Sequence, residues 1–244
     1  MIKSLVISIL AAILIIGCGT PEDLGISKVN VTENPAAEAP LPPLTSSGDK
    51  CGNAYYPIVD GAIWTYQITV QEDAPITATH SMAVVDDGSF TLTVQGNDGL
   101  FTMDGTCGDD GVILMNVPGV SATYSGEDGG STLSTTNVDG VTVPDDIQVG
   151  DDWSQTISVV GSSGSEVTLS ATIETIYKAL GYETVTVPAG TFNALKVEQN
   201  GSMTMGETPA FEAQGFIWYV EGVGVVKSEL DGTYISELVS YNIP

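Results

Sequence analysis

Hydrophobic and polar residues alternate with a period of two over most of the chain after residue 62. In the segment Ile63–Val70, Trp64, Tyr66 and Ile68 alternate with Thr65, Gln67 and Thr69. This spacing places the apolar side chains on one face of an extended strand. Similar runs, rich in Thr and Val, follow at 90–95, 154–160, 167–173, 184–187, 194–198, 216–220, 223–229 and 234–241. The pattern predicts an all-β fold.

Short clusters of Asp, Asn and Gly separate these runs. They occur at 86–88, 96–99, 109–111, 128–130, 139–140, 161–164 and 231–232. Such residues accept the positive φ angles of tight hairpin turns. We therefore predict a mostly antiparallel meander that forms a curved sheet or half-barrel, with at most one or two short helices. The best helix candidate is 173–180, although its β-branched residues favour a strand equally well.

The N-terminus has the pattern of a bacterial lipoprotein signal. Lys3 precedes an apolar run over residues 5–16, and Gly17 and Cys18 follow at the place where such a signal is cleaved and the cysteine diacylated. A secretory signal or a membrane-spanning anchor is the alternative, but the run is shorter than the ~20 apolar residues that a span needs. We predict a signal peptide at 1–17 and a lipid anchor on Cys18, at the cell membrane or outer membrane and facing the periplasm or the cell exterior.

The segment after the cysteine is predicted to be a tether. Pro35, Pro40, Pro42 and Pro43 lie among Ala, Glu, Ser and Asn, with little apolar periodicity. Such a composition buries too little apolar surface to offset the entropy lost on ordering. We predict a disordered tether at 18–49 and a single β-rich domain at 50–244.

The charge balance limits the partners. The chain has 31 acidic residues and 6 lysines, with a net charge of -25. Nucleic acid binding is excluded because it needs a basic surface, and docking on anionic lipid headgroups is disfavoured for the same reason. The acidic surface indicates solubility, cation binding or adaptation to salt, and composition does not distinguish these.

Two cysteines remain after the lipid-bearing one. Cys51 and Cys107 form an even pair in an exported chain, for which a disulfide is the expected state. The crosslink would stabilise the fold by ~4 kcal/mol in the chain-entropy model.

Sequence motifs give little support for catalysis or metal binding. His80 is the single histidine, and we interpret it as a surface residue of a strand. No nucleophile elbow or phosphate loop is present, so we predict no catalytic residues, no cofactor and no enzyme. Paired carboxylates leave a hydrolase as a minor alternative. Two Asp groups offer oxygen ligands for calcium but match no calcium loop, so we expect solvated turns and no metal: Asp104, Asp109 and Asp110, and Asp145, Asp146, Asp151 and Asp152.

Aromatic residues in or beside the strands have two interpretations. They fill the core, or they line a pocket on the concave side of the sheet. The candidate pocket residues are Trp64, Tyr66, Trp153, Phe192, Phe216 and Trp218.

Three strings, in order, carry a family resemblance: 56–66 (YPIVDGAIWTY), 185–197 (VTVPAGTFNALKV) and 218–227 (WYVEGVGVVK). With them the chain resembles a group of bacterial secreted proteins and lipoproteins of unknown function, which are similar to LolA/LolB/LppX-like half-barrels. The resemblance implies a curved antiparallel sheet whose concave side can hold a lipid.

The expected function is therefore a non-enzymatic one. We expect a surface-tethered lipoprotein whose curved sheet binds an apolar small molecule or lipid, or an envelope partner. A structural or adhesive component of the cell envelope is the alternative.

Overall fold

The computed structural model describes residues 51–71, 74–86, 88–96, 99–108, 110–114, 121–126, 131–163 and 166–244. The regular elements within these ranges are all β-strands. They are β1 (Ile63–Val70), β2 (Ile76–Asp86), β3 (Ser89–Gln95), β4 (Gly99–Gly108), β5 (Gly111–Leu114), β6 (Ser121–Gly126), β7 (Ser131–Gly140), β8 (Val143–Pro144), β9 (Asp152–Ser163), β10 (Glu166–Val187), β11 (Gly190–Met205), β12 (Thr208–Val220), β13 (Gly224–Leu230) and β14 (Tyr234–Asn242). The predicted all-β fold is confirmed.

The strands form one antiparallel sheet of 14 strands. Their order is β3, β2, β1, β14, β13, β12, β11, β10, β9, β7, β6, β4, β5, β8, and β3 additionally pairs with β4. A flat sheet could not make this additional pairing, so the sheet is strongly curved. The strands from β9 to β14 pair in chain order, as the predicted meander requires. The predicted curved antiparallel sheet is confirmed.

The core lies on one face of this curved sheet. In β1 the side chains of Trp64, Tyr66 and Ile68 are buried, whereas their neighbours along the strand are exposed or half-buried. Phe90, Leu92 and Val94 repeat the pattern in β3. This alternation follows from the two-residue period of a strand. The largest fully buried apolar side chains are Phe90, Ile68, Leu195, Met203 and Leu238.

The ambiguous segment 173–180 belongs to a strand and not to a helix. It lies in β10, which runs for 22 residues and continues through Gly181. The pairing with β11 shifts register between Ala179 and Gly181, where the glycine has a φ of 148°. Ile173, Thr175, Tyr177 and Ala179 are buried at a spacing of two, which a helix would not produce.

Several predicted turns connect neighbouring strands, but the one at 139–140 does not, because Asp139 and Gly140 belong to β7 and pair with Thr156 and Gln155 of β9. Asp231 and Gly232, with φ angles of 50° and 64°, join β13 to β14. Pro188 and Ala189 join β10 to β11, because Val187 pairs with Gly190. The turn at 128–130 lies outside the described residues, as do Asp87, Asn97, Asp98, Asp109 and Gly164.

The predicted disulfide is present and holds the segment before β1. Cys51 is bonded to Cys107 of β4, with their Cα atoms 5.1 Å apart. Asn53 adds to this attachment, since its Nδ2 donates to the Val143 and Pro144 carbonyl oxygens at 3.2 and 2.9 Å. The segment 51–62 is therefore fixed to the sheet at several points.

The signal peptide, Cys18 and the tether predicted at 18–49 lie outside the described residues. In the part of the chain that is described, no helix is long and apolar enough to cross a membrane.

Candidate functional site

Two of the predicted pocket residues, Trp64 and Tyr66, lie in the core. Trp64 Nε1 donates to the Val223 carbonyl oxygen at 2.7 Å, and the Tyr66 hydroxyl donates to the Val225 carbonyl oxygen at 2.9 Å. Buried polar groups need such partners, and here the backbone beside the turn between β12 and β13 supplies them. Both side chains therefore join β1 to this turn across the core.

Two others, Phe216 and Trp218, lie on the outer face of the sheet. In β12 they alternate with the core residues Ile217 and Tyr219. Trp218 is nevertheless only 4% exposed. It is covered by lysines, because the Nζ atoms of Lys196 and Lys227 lie 4.9 and 5.1 Å from the centre of its ring.

Carboxylates complete the lysine and tryptophan cluster. Trp218 Nε1 donates to Glu183 Oε1 at 2.6 Å, and Lys196 Nζ lies 3.4 Å from the same oxygen. The hydrogen bond from Trp218, with a smaller effect of Lys196, lowers the pKa of Glu183. Lys227 pairs with Glu229 at 2.7 Å. Both lysines are thus already neutralised, and the cluster covers the indole without leaving a free charge.

The remaining pocket candidates, Trp153 and Phe192, are half-buried and pack against the core. The Trp153 ring stacks on Tyr177 with centroids 5.2 Å apart, and its Nε1 donates to the Thr142 carbonyl oxygen at 3.1 Å. The six candidates therefore occupy separate places: the core, its margin and the outer face. The structure does not bring them together around one pocket.

The expectation that His80 lies on the surface of its strand is wrong. His80 belongs to β2, as expected for a strand residue, but it is only 8% exposed and faces the core. Its ring lies 4.7 Å from that of Tyr66, and its Nε2 has no hydrogen-bond partner in the part of the chain that the structure describes. Burial lowers the pKa of His80 to about 4. Alternation alone could not assign its face, since β2 ends in several exposed apolar residues.

Most of the acidic side chains considered as calcium ligands make hydrogen bonds or an ion pair with other residues of the protein. Within the described ranges, no group of three His, Cys, Asp or Glu side chains is arranged to hold a metal ion. Asp109 lies outside those ranges. Five of the other carboxylates have a neighbouring partner: Asp104 accepts from Thr91, Asp145 from Asn53, Asp146 and Asp151 from Gln148, and Asp152 pairs with Lys178.

A groove on the outer face of β10, β11 and β12 was not predicted from the sequence. It is a shallow groove, open to solvent, with a volume of about 460 Å³, and its lining residues are Glu174, Ile176, Asn200, Gly201, Ser202, Glu212, Ala213, Gln214 and Asp231. Gln214 organises one side, because its backbone N–H donates to Asp231 Oδ1 and its Nε2 donates to Glu198 Oε1, both at 2.9 Å. Strand register brings these residues together from distant positions, so no local motif signals the groove.

Several polar side chains on the inner face of the sheet were also not predicted to be buried. Gln199, Ser228 and Ser236 are 2%, 5% and 1% exposed, and Tyr234 lies beside them on β14. Gln199 Oε1 and the Ser228 hydroxyl have no hydrogen-bond partner among the described residues, whereas the hydroxyls of Tyr234 and Ser236 interact with each other. The sequence signal that could have revealed them is a single polar residue at a position where the alternation predicts an inward-facing apolar residue.

Comparison with known proteins places this sheet in a family. A family profile described as DUF3108-like matches residues 62–241, which span β1 to β14. The chain belongs to the DUF3108-like family. None of the curated proteins compared with it matches in sequence. The resemblance to LolA, LolB and LppX stays an expectation from the sequence.

Three solved structures are similar to this DUF3108-like chain. A protein from Bacteroides fragilis NCTC 9343, named as exported and with a YmcC-like fold, is 14% identical, with 78% of this chain and 99% of that chain covered and a TM-score of 0.45. A protein from Parabacteroides distasonis ATCC 8503, named as a lipoprotein, is 14% identical, with 79% and 99% covered and a TM-score of 0.44. The hypothetical lipoprotein YmcC from Escherichia coli K12 is 11% identical, with 74% and 84% covered and a TM-score of 0.39.

Proposed function

We propose that this DUF3108-like protein is a bacterial envelope lipoprotein. Cys18 carries the lipid after removal of residues 1–17, and residues 18–49 hold the domain 50–244 away from the cell membrane or outer membrane, facing the periplasm or the cell exterior. The signal pattern around Gly17 and Cys18 supports this assignment. The disulfide between Cys51 and Cys107 supports it too, since such bonds persist in oxidising compartments outside the cytosol.

The anchor predicts a change of location for a single substitution. We expect Cys18→Ser to move the protein from the membrane fraction to the soluble fraction, because the serine hydroxyl is not diacylated. Immunoblotting of fractionated cells measures the shift, and Cys51→Ser is the matched control because it leaves Cys18 intact. A Cys18→Ser protein that stayed in the membrane fraction with residues 1–17 removed, as shown by its mass, would refute the lipid anchor.

We propose that the domain acts by binding a polypeptide partner and not by catalysis. The observation that carries this proposal is the acidic groove on the outer face of β10 to β12. Glu174, Glu212 and Asp231 line it, while Ile176 adds an apolar contact. Complementary charge favours a basic segment of an envelope protein as the occupant. His80, the one histidine in the sequence, supports a non-enzymatic role because it is buried and its Nε2 has no hydrogen-bond partner among the residues that the structure describes.

Binding of a basic peptide tests the groove. We expect the variant Glu174→Gln, Glu212→Gln, Asp231→Asn to bind a lysine-rich decapeptide about tenfold more weakly than the unchanged protein, since three attractive charges are lost. Isothermal titration calorimetry measures the dissociation constants. The control variant is Asp86→Asn, Asp139→Asn, Asp146→Asn, which removes three exposed carboxylates outside the groove. Equal weakening in both variants would mean general attraction by the net charge and would contradict a defined site.

A second candidate function is the binding of an apolar ligand inside the curved sheet. Among the described residues, Gln199 Oε1 and the Ser228 hydroxyl are buried without a hydrogen-bond partner, and the polar end of a lipid could supply one while its chain packs against the apolar core. Native mass spectrometry of the mature Cys18→Ser chain, combined with organic extraction, tests this candidate. A stoichiometric lipid supports it, and an apo mass alone opposes it.

A further inference from the structure

Two carboxylates of the outer groove lie on one register row of the sheet. Glu174 of β10 pairs with Ser202 of β11, and Ser202 pairs with Glu212 of β12. Residues of one register row project from the same face of a sheet, and both glutamates are exposed. Neighbouring strands lie about 4.8 Å apart, so the Cα atoms of the two glutamates, two strands apart, are separated by about 9.6 Å.

The adjacent row on the same face adds an apolar side chain. Ile176 of β10 pairs with Asn200 of β11, and Asn200 pairs with Gln214 of β12. The Ile176 side chain is 48% exposed, which is a large fraction for an isoleucine in the middle of a sheet. A partner that covers both rows therefore combines basic groups with apolar groups.

The strands of the groove leave no edge for a further strand to join. Residues 200–202 of β11 pair with β10 on one side and with β12 on the other. A polypeptide that lies on this face therefore makes no ladder with β11, and its own backbone has to stay hydrated. Polyproline II is the extended conformation that has no internal hydrogen bonds and a solvated backbone.

The spacing of the two glutamates also favours polyproline II. This conformation has three residues per turn and rises about 3.1 Å per residue, so residues i and i+3 project in the same direction about 9.3 Å apart. In a β-strand the residues of one face are about 6.8 Å apart, and residues i and i+3 project to opposite faces. Only the first geometry presents two side chains at the separation of Glu174 and Glu212.

We propose that the groove binds a proline-rich segment of another envelope protein that has basic residues at positions i and i+3. The basic side chains pair with Glu174 and Glu212, and the prolines between them pack on Ile176. This inference rests on the proposed function of the groove and specifies the sequence of the partner. The chain's own tether is proline-rich, but Lys28 is its single basic residue, so it does not supply the pair.

Two peptides of identical composition test the spacing. PPKPPKPP has its lysines at i and i+3, whereas PPPKKPPP has them at adjacent positions, which project in different directions. We expect the mature chain with Cys18→Ser to bind the first peptide about fivefold more tightly, which is the effect of one exposed ion pair. Fluorescence anisotropy of the labelled peptides at low ionic strength measures both dissociation constants. General attraction by the net charge of -25 acts on both peptides alike.

A single substitution tests whether the two glutamates cause the preference. In the variant Glu174→Gln we expect both peptides to bind equally, because Glu212 alone can pair with one lysine of either peptide. The matched control Asp86→Asn removes an exposed carboxylate of β2, outside the groove, and should keep the fivefold preference.

The outcomes separate the spacing from the function of the groove. Equal binding of the two peptides by the unchanged protein would overturn the spacing and leave the groove as a general site for basic polypeptides. A preference that persisted in Glu174→Gln would also overturn the spacing, because the pair of glutamates would not be its origin. If neither these peptides nor the lysine-rich decapeptide bound, the proposed function of the groove would fail as well.

Discussion

The double substitution Cys51→Ala, Cys107→Ala is expected to lower the free energy of unfolding by about 4 kcal/mol. The bond joins residues 56 positions apart in sequence, and its loss releases a long loop in the unfolded chain. Both sulfurs are buried, at 7% and 8% exposure of their residues. Urea unfolding followed by tryptophan fluorescence measures the change.

A control separates the crosslink from the side chains. Adding a reductant during unfolding should lower the stability of the unchanged protein to nearly that of the double variant, and should not affect the variant itself. A loss below about 1 kcal/mol would contradict this contribution of the crosslink to the entropy of the unfolded chain. In the folded protein the segment 51–62 also makes contacts that do not depend on the disulfide. Those contacts include the hydroxyl of Tyr55, which lies 2.5 Å from that of Tyr182 and donates to Glu221 Oε1 at 3.1 Å.

The second large effect is a loss of stability in mild acid that originates from His80. Burial lowers the pKa of His80 from 6.5 to about 4. Between these two pH values the imidazole is therefore protonated in the unfolded chain and neutral in the folded chain. The free energy of unfolding is therefore unaffected by His80 above pH 6.5. It falls as the pH decreases below that value and has lost about 3 kcal/mol by about pH 4, where the folded state also takes up the proton.

The variant His80→Leu isolates this contribution. We expect its free energy of unfolding to depend less on pH between 6.5 and 4 than that of the unchanged protein, with a difference of about 3 kcal/mol across the range. The carboxylates titrate alike in both proteins, so they cancel in the comparison. Parallel pH profiles would contradict the buried, neutral histidine.

A direct titration provides a second measurement. His80 is the only histidine in the chain, so its imidazole signals in a proton NMR spectrum need no assignment by mutation. They should stay constant from pH 8 to about pH 5 and shift only near pH 4. An apparent pKa near 6.5 would place the ring in contact with water.

The sequence predicted the strands better than the faces of individual residues. Alternation located β1 and β3 and put Trp64, Tyr66 and Phe90 on a buried face. It failed for His80, because a polar residue at an inward position looks the same as one at an outward position when the phase of the strand is not fixed by its neighbours. It left residues 173–180 ambiguous for a similar reason, since a short apolar run fits both periods.

The candidate pocket residues illustrate the same limit of sequence analysis, namely that alternation does not show which face of the sheet a residue occupies. Trp64 and Trp218 both lie in strands with the predicted alternation, yet one packs in the core and the other is covered by lysines on the outer face. A buried aromatic residue therefore does not indicate which side of a curved sheet it occupies. The lysines above Trp218 come from β11 and β13, which only the pairing register places beside it.

The sequence by itself determined the all-β class, the pairing of Cys51 with Cys107 and the position of turns such as the one at Asp231 and Gly232. These properties depend on local periodicity, on turn chemistry and on composition, which are all contained in neighbouring residues or in sums over the chain. Only the tertiary structure decided the sheet order, the outer groove and the burial of polar side chains such as Gln199, Ser228 and Ser236. Each of these depends on the register between strands, and register is set by packing over the whole sheet and not by any one segment.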